Sequence, residues 1–249
     1  MPPSKLASSV ITTKVLANLR NHPGLPAHCW YLVTATTLAV LNQPHGIRDV
    51  YKYELDQCGN GESLFVLRRM REALIKASAI GGVPKTINAL LSLKEVTPSD
   101  QLDGPETLSP TERHRDIYET SPVEILGRGQ IFFDGVYGKI AKRIMGQMDR
   151  SGTQDLGLTA RLVYGYLLSN TRVLSAIETS FVMIAGLIPQ DVNPQLKGHL
   201  RGALNSGVTV EEVRAIRAIT MMICEAFGME RLAEDAVGGW GWRDEVANV

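Results

Sequence analysis

Apolar residues recur at spacings of three and four along most of the chain, whereas the alternation that is typical of strands is sparse. The clearest exception is the segment from about residue 96 to residue 123, which is rich in proline, charge and small polar residues and predicts a non-helical linker. The pattern therefore predicts an all-α protein. Its most regular apolar stripe runs up to Gly228 and consists of Val213, Ile216, Ile219, Ile223 and Phe227.

Residues 193–228 carry clear start and stop signals for two consecutive helices. Asn193-Pro194 offers an N-cap and a first-turn proline, and Gly207 tolerates the left-handed conformation that ends helices. Thr209, followed three residues later by Glu212, forms a capping box. The sequence therefore predicts a short helix that carries His199, and then a longer amphipathic helix.

The same stretch resembles a known signature. His199 to Val213, which reads HLRGALNSGVTVEEV, is similar to the signature of the carboxymuconolactone decarboxylase and alkylhydroperoxidase D-like superfamily. The resemblance covers roughly residues 125–235 and implies an alkylhydroperoxidase D-like helical fold. The upstream segments that resemble decarboxylase-type members are Arg128-Gly129, Val136-Tyr137-Gly138, Val163-Tyr164-Gly165 and Leu174–Glu178.

Residues 27–97 look like a weaker copy of this unit. Tyr51 lies eight residues before Gly59, and His199 lies eight residues before Gly207. An apolar run of similar length follows each glycine. The spacing predicts an internal duplication of helical hairpin units, although two unrelated hairpins would also share it by chance.

The two copies differ in their ionisable groups. The first copy carries Tyr51 and, approximately, Trp30 at the positions where the second carries His199 and Glu178. Only the second copy keeps acid/base groups, so the first is expected to be a structural half. The predicted organisation is a degenerate repeat in 1–97, a linker in 98–123, the second repeat in 124–237 and a Gly/Trp tail in 238–249. That tail covers a pocket, packs on a partner subunit or closes its own core.

Cysteine usage separates the two chemistries of the superfamily. Alkylhydroperoxidase D-like members depend on a Cys-x-x-Cys pair whose second cysteine lies four residues before the histidine. Here Val192 and Gln195 occupy those positions, and the three cysteines of the chain lie far apart. Thiol peroxidase activity of the usual kind is therefore not expected. The cysteines are Cys29, Cys58 and Cys224.

The resemblance then implies decarboxylase-like chemistry, in which a small unsaturated or lactone carboxylic acid loses carbon dioxide and takes up a proton. No metal or organic cofactor is needed. His199 suits the proton donor, and Glu178 suits the carboxylate that orients it or exchanges protons with it. Arg128 is the first candidate for binding the substrate carboxylate, and Arg201 is the second.

Each of these residues also has a structural interpretation. His199 could be a partly buried residue that bonds a backbone carbonyl, and Arg128 could form an ion pair. Glu178 lies on an otherwise apolar helix and should face a pocket or a charge. No metal site is expected, because the remaining histidines lack metal-ligand spacing. These histidines are His22, His28, His45 and His114.

Two other functional classes stay open. The chain could be a hydroperoxidase-type antioxidant oxidoreductase, or a helical assembly subunit that kept the fold and lost catalysis. Because the superfamily assembles single units into trimers or hexamers, the fused pair is expected to form a homo-oligomer, either a dimer or a trimer.

Composition and the length of the apolar runs narrow the possible partners of the chain. Twenty-six basic residues balance 26 acidic ones in the 249-residue chain, so nucleic acid is not an expected partner. The longest apolar runs, such as Trp30 to Leu41, are too short to span a bilayer, and no membrane association is expected.

Met1 to Arg48 contains no acidic residue, which suits either a mitochondrial targeting segment or an ordinary first helix. Residues 247–249 do not form a peroxisomal tripeptide signal. Cytoplasmic residence is the default expectation.

Overall fold

The computed structural model describes residues 10–59, 61–103 and 107–229, and within these ranges the chain forms helices and no strand. The prediction of an all-α protein is confirmed. Short 3₁₀ turns occupy Ser99–Gln101, Gly138–Ile140 and Ile188–Gln190, and a π-helical segment occupies Val163–Leu168. The α-helices are α1 (Thr13–Arg20), α2 (Trp30–Val40), α3 (Pro44–Gln57), α4 (Ser63–Gly81), α5 (Val83–Glu95), α6 (Arg113–Tyr118), α7 (Pro122–Tyr137), α8 (Ala141–Met148), α9 (Asp155–Leu162), α10 (Ala176–Leu187), α11 (Asn193–Asn205) and α12 (Val210–Ala226).

The helix signals near the C-terminal end of the described chain are largely confirmed. Thr209 and Glu212 form the capping box of α12, and Gly207 has a φ of 93° just after α11. The start of α11 differs by one residue, because Val192 occupies the cap position. Asn193 lies inside the first turn, where its amide donates to Asp191 Oδ1 at 2.9 Å.

Two buried helices form the centre of the molecule. Every residue of α2 is buried, and α10 is buried from Glu178 to Leu187. Both central helices pack against α4 and α12 and against each other, so that one apolar core contains residues from both halves of the chain. The two predicted repeats therefore share a core.

The order of the helices follows the predicted duplication. Helices α2, α3 and α4 have 11, 14 and 19 residues, and α10, α11 and α12 have 12, 13 and 17. Trp30 and Glu178 both lie in the first turns of their helices, while Tyr51 and His199 lie in the middle of theirs. The duplication itself stays a prediction.

The segment between the halves is more ordered than its composition predicts. It contains the Ser99–Gln101 turn and α6, whose first residue, Arg113, reaches back to α4. The Arg113 guanidinium donates to both oxygens of the Glu72 carboxylate at 2.6 and 2.7 Å. Because Glu72 is buried, its charge needs such a partner, and the ion pair fixes the segment on α4.

A close helix crossing positions the second half. Gly129 of α7 meets Gly165 of the π-helical segment, and a Cβ on Gly129 would lie 2.6 Å from the Gly165 backbone. The buried Lys76 ammonium donates to Leu168 O at 2.7 Å and to Asn170 O at 2.8 Å, which satisfies carbonyl groups where the π-helical segment ends. These contacts fix Tyr164, which lies in the same segment.

Among the described residues, no helix combines the length and the hydropathy that a bilayer-spanning segment needs. The predicted Gly/Trp tail at 238–249 lies outside the described residues, as do residues 1–9.

Candidate active site

A cleft of about 740 Å³ lies between the end of α7, the turn that follows it, α8 and α11. Four of its lining side chains are cations, and no carboxylate is among the lining residues. The cleft is lined by Gly135, Val136, Tyr137, Gly138, Lys139, Ile140, Arg143, Ile144, Gln147, Gln195, Lys197, Gly198, Arg201 and Asn205.

The four cations of this cleft form no ion pair within the described part of the chain, whereas several other arginines do. The first turns of α11 also line the cleft through Gln195 and Gly198, and the positive end of a helix dipole favours an anion. The electrostatics of the cleft therefore favour an anionic ligand. The cations are Lys139, Arg143, Lys197 and Arg201.

Tyr137 connects the cleft to a buried polar chain. Its hydroxyl lies 3.2 Å from His199 Nε2, and the Tyr164 hydroxyl donates to it at 3.3 Å. Burial raises the pKa of Tyr137, so the phenol is protonated at neutral pH. Because the Tyr137 oxygen accepts the hydrogen bond of the Tyr164 hydroxyl, the proton of Tyr137 itself can be donated to His199 or to a ligand in the cleft.

His199 lies behind Tyr137 and does not line the cleft. Burial lowers the pKa of His199 to about 4, so the imidazole is neutral at pH 7. A neutral imidazole lacks the additional proton that the predicted donor role would use. Its Nε2 faces the Tyr137 hydroxyl, and the tautomer of the neutral imidazole decides which of the two groups donates.

Glu178 does not pair with His199. Arg69 Nη2 of α4 donates to its Oε1 at 2.5 Å, and the Ser175 N–H donates to its Oε2 at 2.8 Å. Burial alone raises the pKa of Glu178, but the bonds from Arg69 and Ser175 outweigh it and hold the pKa below its usual value. The expected acid/base pair is thus replaced by a buried ion pair between the two halves.

The predicted ranking of the substrate-binding arginines is also corrected. Both terminal nitrogens of Arg128 donate to the Asp116 carboxylate, at 3.0 and 2.6 Å, and its Nε donates to Ser169 Oγ at 3.0 Å. Arg128 does not line the cleft. The structure agrees with the interpretation of Arg128 as a member of an ion pair. Arg201, the second candidate, lines the cleft.

The sequence analysis missed most of this cleft. Lys139 and Arg143 are four residues apart, as are Lys197 and Arg201, and in a continuous helix this spacing would place two cations on one face. Lys197 and Arg201 do share α11, whereas Lys139 lies in the 3₁₀ turn that precedes α8. That spacing was a usable signal. What the sequence could not indicate is that the two pairs line the same cleft as Tyr137.

The three cysteines are free thiols with raised pKa values. Burial, and then the charge of Glu178, raises the pKa of Cys29 to about 12, and burial raises that of Cys224 to about 12. Half-buried Cys58 also has a raised pKa, mainly through burial. None of them has the thiolate character that peroxide reduction requires.

No family model matches the chain. A protein of Schizosaccharomyces pombe named Peroxisomal protein 2 is 35% identical over 205 residues, which cover 82% of this chain and 89% of that protein. The chain belongs to the Peroxisomal protein 2 family. The family member of Saccharomyces cerevisiae, which has the same name, is 31% identical over 259 residues that cover 84% of this chain and 91% of the relative. The similarity to both relatives extends over most of the length of each protein.

Proposed function

We propose that this chain is a cofactor-independent lyase or proton-transfer enzyme of the carboxymuconolactone decarboxylase and alkylhydroperoxidase D-like superfamily. Its substrate would be a small unsaturated or lactone carboxylic acid. The observation that carries the proposal is the cleft itself, which four cations line together with Tyr137, the partner of His199; within the described residues none of these cations pairs with a carboxylate. The signature resemblance at 199–213 supports the same reaction class.

In this proposal the substrate carries two carboxylates, of which one departs and one is retained. Arg201 and Lys197 bind the carboxylate that is retained. The bond to the departing carboxylate breaks, carbon dioxide leaves, and the electron pair moves into a conjugated dienolate. The remaining cations lower the energy of the developing negative charge, because a preorganised positive field favours the transition state over the bound acid.

Tyr137 then gives its proton to the dienolate carbon. It is the acid at the wall of the cleft, and it stays protonated at neutral pH because burial raises its pKa. His199 acts as a positioning residue: in the tautomer that carries its proton on Nε2, it donates to the Tyr137 oxygen from behind, and Tyr164 donates to the phenolate oxygen that forms. Water that enters the cleft returns the proton to Tyr137.

Turnover of 4-carboxymuconolactone and related unsaturated acids, followed by ultraviolet absorbance without metals or thiols, tests these roles. Tyr137→Phe should lower kcat by about 10²-fold or more, as expected for loss of a general acid. The matched control is Tyr118→Phe, since Tyr118 is exposed on α6, outside the cleft. Turnover that survives Tyr137→Phe would refute the proposed donor.

Substrate binding can be tested separately. Arg201→Ala should raise KM about tenfold or more through loss of a charged hydrogen bond. The matched control is Arg214→Ala, because Arg214 is an exposed arginine of α12 outside the cleft, and this variant should keep the wild-type KM. If no acid of the panel is turned over, the non-catalytic assembly subunit becomes the better hypothesis.

The raised thiol pKa values favour the lyase over the hydroperoxidase alternative. A peroxide-consuming enzyme would lose activity when its cysteines are replaced, so peroxide consumption abolished by Cys58→Ser or Cys29→Ser would revive that alternative.

We further infer that the chain resides in peroxisomes rather than in the cytoplasm or mitochondria. The names of both relatives support this location. Two fluorescent fusions, one at each end of the chain, each leave the opposite end accessible. Fluorescence from at least one fusion should colocalise with a peroxisomal marker, and diffuse fluorescence from both would contradict the inferred location.

The proposal of a homo-oligomer, a dimer or a trimer, is kept. Several large apolar side chains of α6, α7 and α9 are exposed, which is common at subunit interfaces. Light scattering that detects only monomer would refute it. The side chains are Ile117, Tyr118, Val123, Ile131, Leu158 and Leu162.

A further inference from the structure

A second group of reactive side chains lies outside the cleft, where α2 and α10 begin. His28 and Cys29 directly precede α2, and Glu178 lies in the first turn of α10. One ligand atom from each of these residues lies within 4.8 Å of the other two. Because 28 and 178 are distant in sequence, only the fold brings an imidazole, a thiol and a carboxylate together.

This is a set of ligands that suits zinc. Thiolate, imidazole and carboxylate bind Zn²⁺ at roughly 2.0–2.3 Å, which places tetrahedral ligands about 3.5 Å apart. His28 Nε2 already lies 3.8 Å from Glu178 Oε1. The largest separation has to shorten by about 1 Å, and the His28 side chain, which is 61% exposed, is free to rotate.

Arg69 is compatible with such a site. It donates to Glu178, to the Tyr31 hydroxyl at 2.8 Å and to His28 O at 3.2 Å. A carboxylate oxygen has two lone pairs, so Glu178 Oε1 can accept from Arg69 and bind a cation at the same time. Hydrogen bonds of this kind orient metal-bound carboxylates in known metal sites.

The charges also balance. A divalent cation, the Cys29 thiolate, the Glu178 carboxylate and the Arg69 guanidinium sum to a single positive charge, which hydroxide in the fourth position would neutralise. The cation therefore replaces the proton of a buried thiol, and this proton leaves to solvent.

We propose that His28, Cys29 and Glu178 bind one zinc-type divalent cation, with the fourth position open to water on the exposed side of His28. The site shares no residue with the lining of the cleft. It therefore stands independently of the proposed lyase activity, and its test needs no substrate.

Titration of the tag-free full-length chain with Zn²⁺ and with Co²⁺ tests the proposal. Calorimetry should give one ion per chain and, when buffers of different ionisation enthalpy are compared, release of about one proton. Co²⁺ should give the thiolate-to-metal absorption of a tetrahedral site. His28→Ala and Cys29→Ser should each weaken binding about tenfold or more. The matched controls, His114→Ala and Cys58→Ser, should bind as the wild type does.

The proposal is overturned if the wild type binds neither ion, or if both ligand variants bind as the wild type does. If Cys29→Ser fails to fold, His28→Ala decides alone, because an exposed side chain contributes little to the core. Binding lost equally in His28→Ala and His114→Ala would indicate nonspecific histidine binding and would also refute the site.

Discussion

Burial and polar partners together set the charge of His199 and of Glu178. His199 and Glu178 are similarly inaccessible, yet the imidazole is neutral and the carboxylate is ionised. The difference lies in their partners, because Glu178 accepts from a guanidinium whereas His199 faces a phenol. A neutral histidine and an ionised glutamate follow from tertiary contacts, and neither state is visible in a sequence motif.

The neutral His199 predicts a specific dependence of stability on pH. The unfolded chain protonates this residue near pH 6.5, and the folded chain does so only near pH 4. Between these values the unfolded state binds more protons, so the free energy of unfolding falls by up to about 3 kcal/mol as the pH decreases. His199→Gln should remove this part of the slope.

Urea unfolding at several pH values from about 7 to 4.5 measures this dependence of the free energy of unfolding on pH. The matched control is His114→Gln, which alters an exposed histidine of α6 and should keep the wild-type slope. An unchanged slope in His199→Gln would contradict a buried neutral imidazole.

The sequence therefore predicted part of the site. Helix signals placed His199 and Arg201 on one short helix, and the structure keeps them there. The role of Tyr137 and the identity of Asp116 as the ion-pair partner of Arg128 could not be predicted, because both depend on which elements pack together. The spacing of Lys139 and Arg143 is visible in the sequence. Only the position of α11 shows that these cations share a cleft with Lys197 and Arg201.

At the scale of elements, local signals were most reliable where proline, glycine and capping residues coincide. The α11–α12 hairpin has all of these, and its bounds match the prediction within one residue at its start. The linker illustrates the opposite case. Its composition predicts no helix, yet the ion pair of Arg113 with buried Glu72 accompanies a helical turn there.

The crossing of α7 with the π-helical segment predicts opposite effects for two glycines of one helix. Gly129→Ala would place a Cβ 2.6 Å from the Gly165 backbone, so it should destabilise the protein by at least about 2 kcal/mol. Gly127→Ala has open space around its Cβ and should stabilise the protein by about 0.5–1 kcal/mol, because alanine favours helices. Thermal or urea unfolding of the two variants compares them directly. Equal effects would mean that the close crossing is absent.

At the scale of the whole molecule, one apolar core joins the two halves of the chain. The apolar pattern of each helix showed which face is buried but not which helix covers it. The sequence therefore could not indicate that α10 packs against α2 and α4 of the other half. The apolar core contains residues from both sides of the domain boundaries predicted at 97 and 124.

The shared core predicts a single cooperative unfolding transition. Cys29 lies at the start of α2 and Cys224 lies in α12, and both are buried. Pulse alkylation at increasing urea, read by mass spectrometry, should label both thiols with the same midpoint. Two separate midpoints would indicate that the halves unfold independently.

The ion pair between Arg69 and Glu178 joins residues 109 positions apart on one polypeptide. Closing a loop of that length costs about 4 kcal/mol of chain entropy, and that cost does not depend on how much protein is present. Two separate half-chains would have to find each other by collision, and they would come apart on dilution. In the fused chain this part of assembly is unimolecular, so the two halves stay together even at very low copy number.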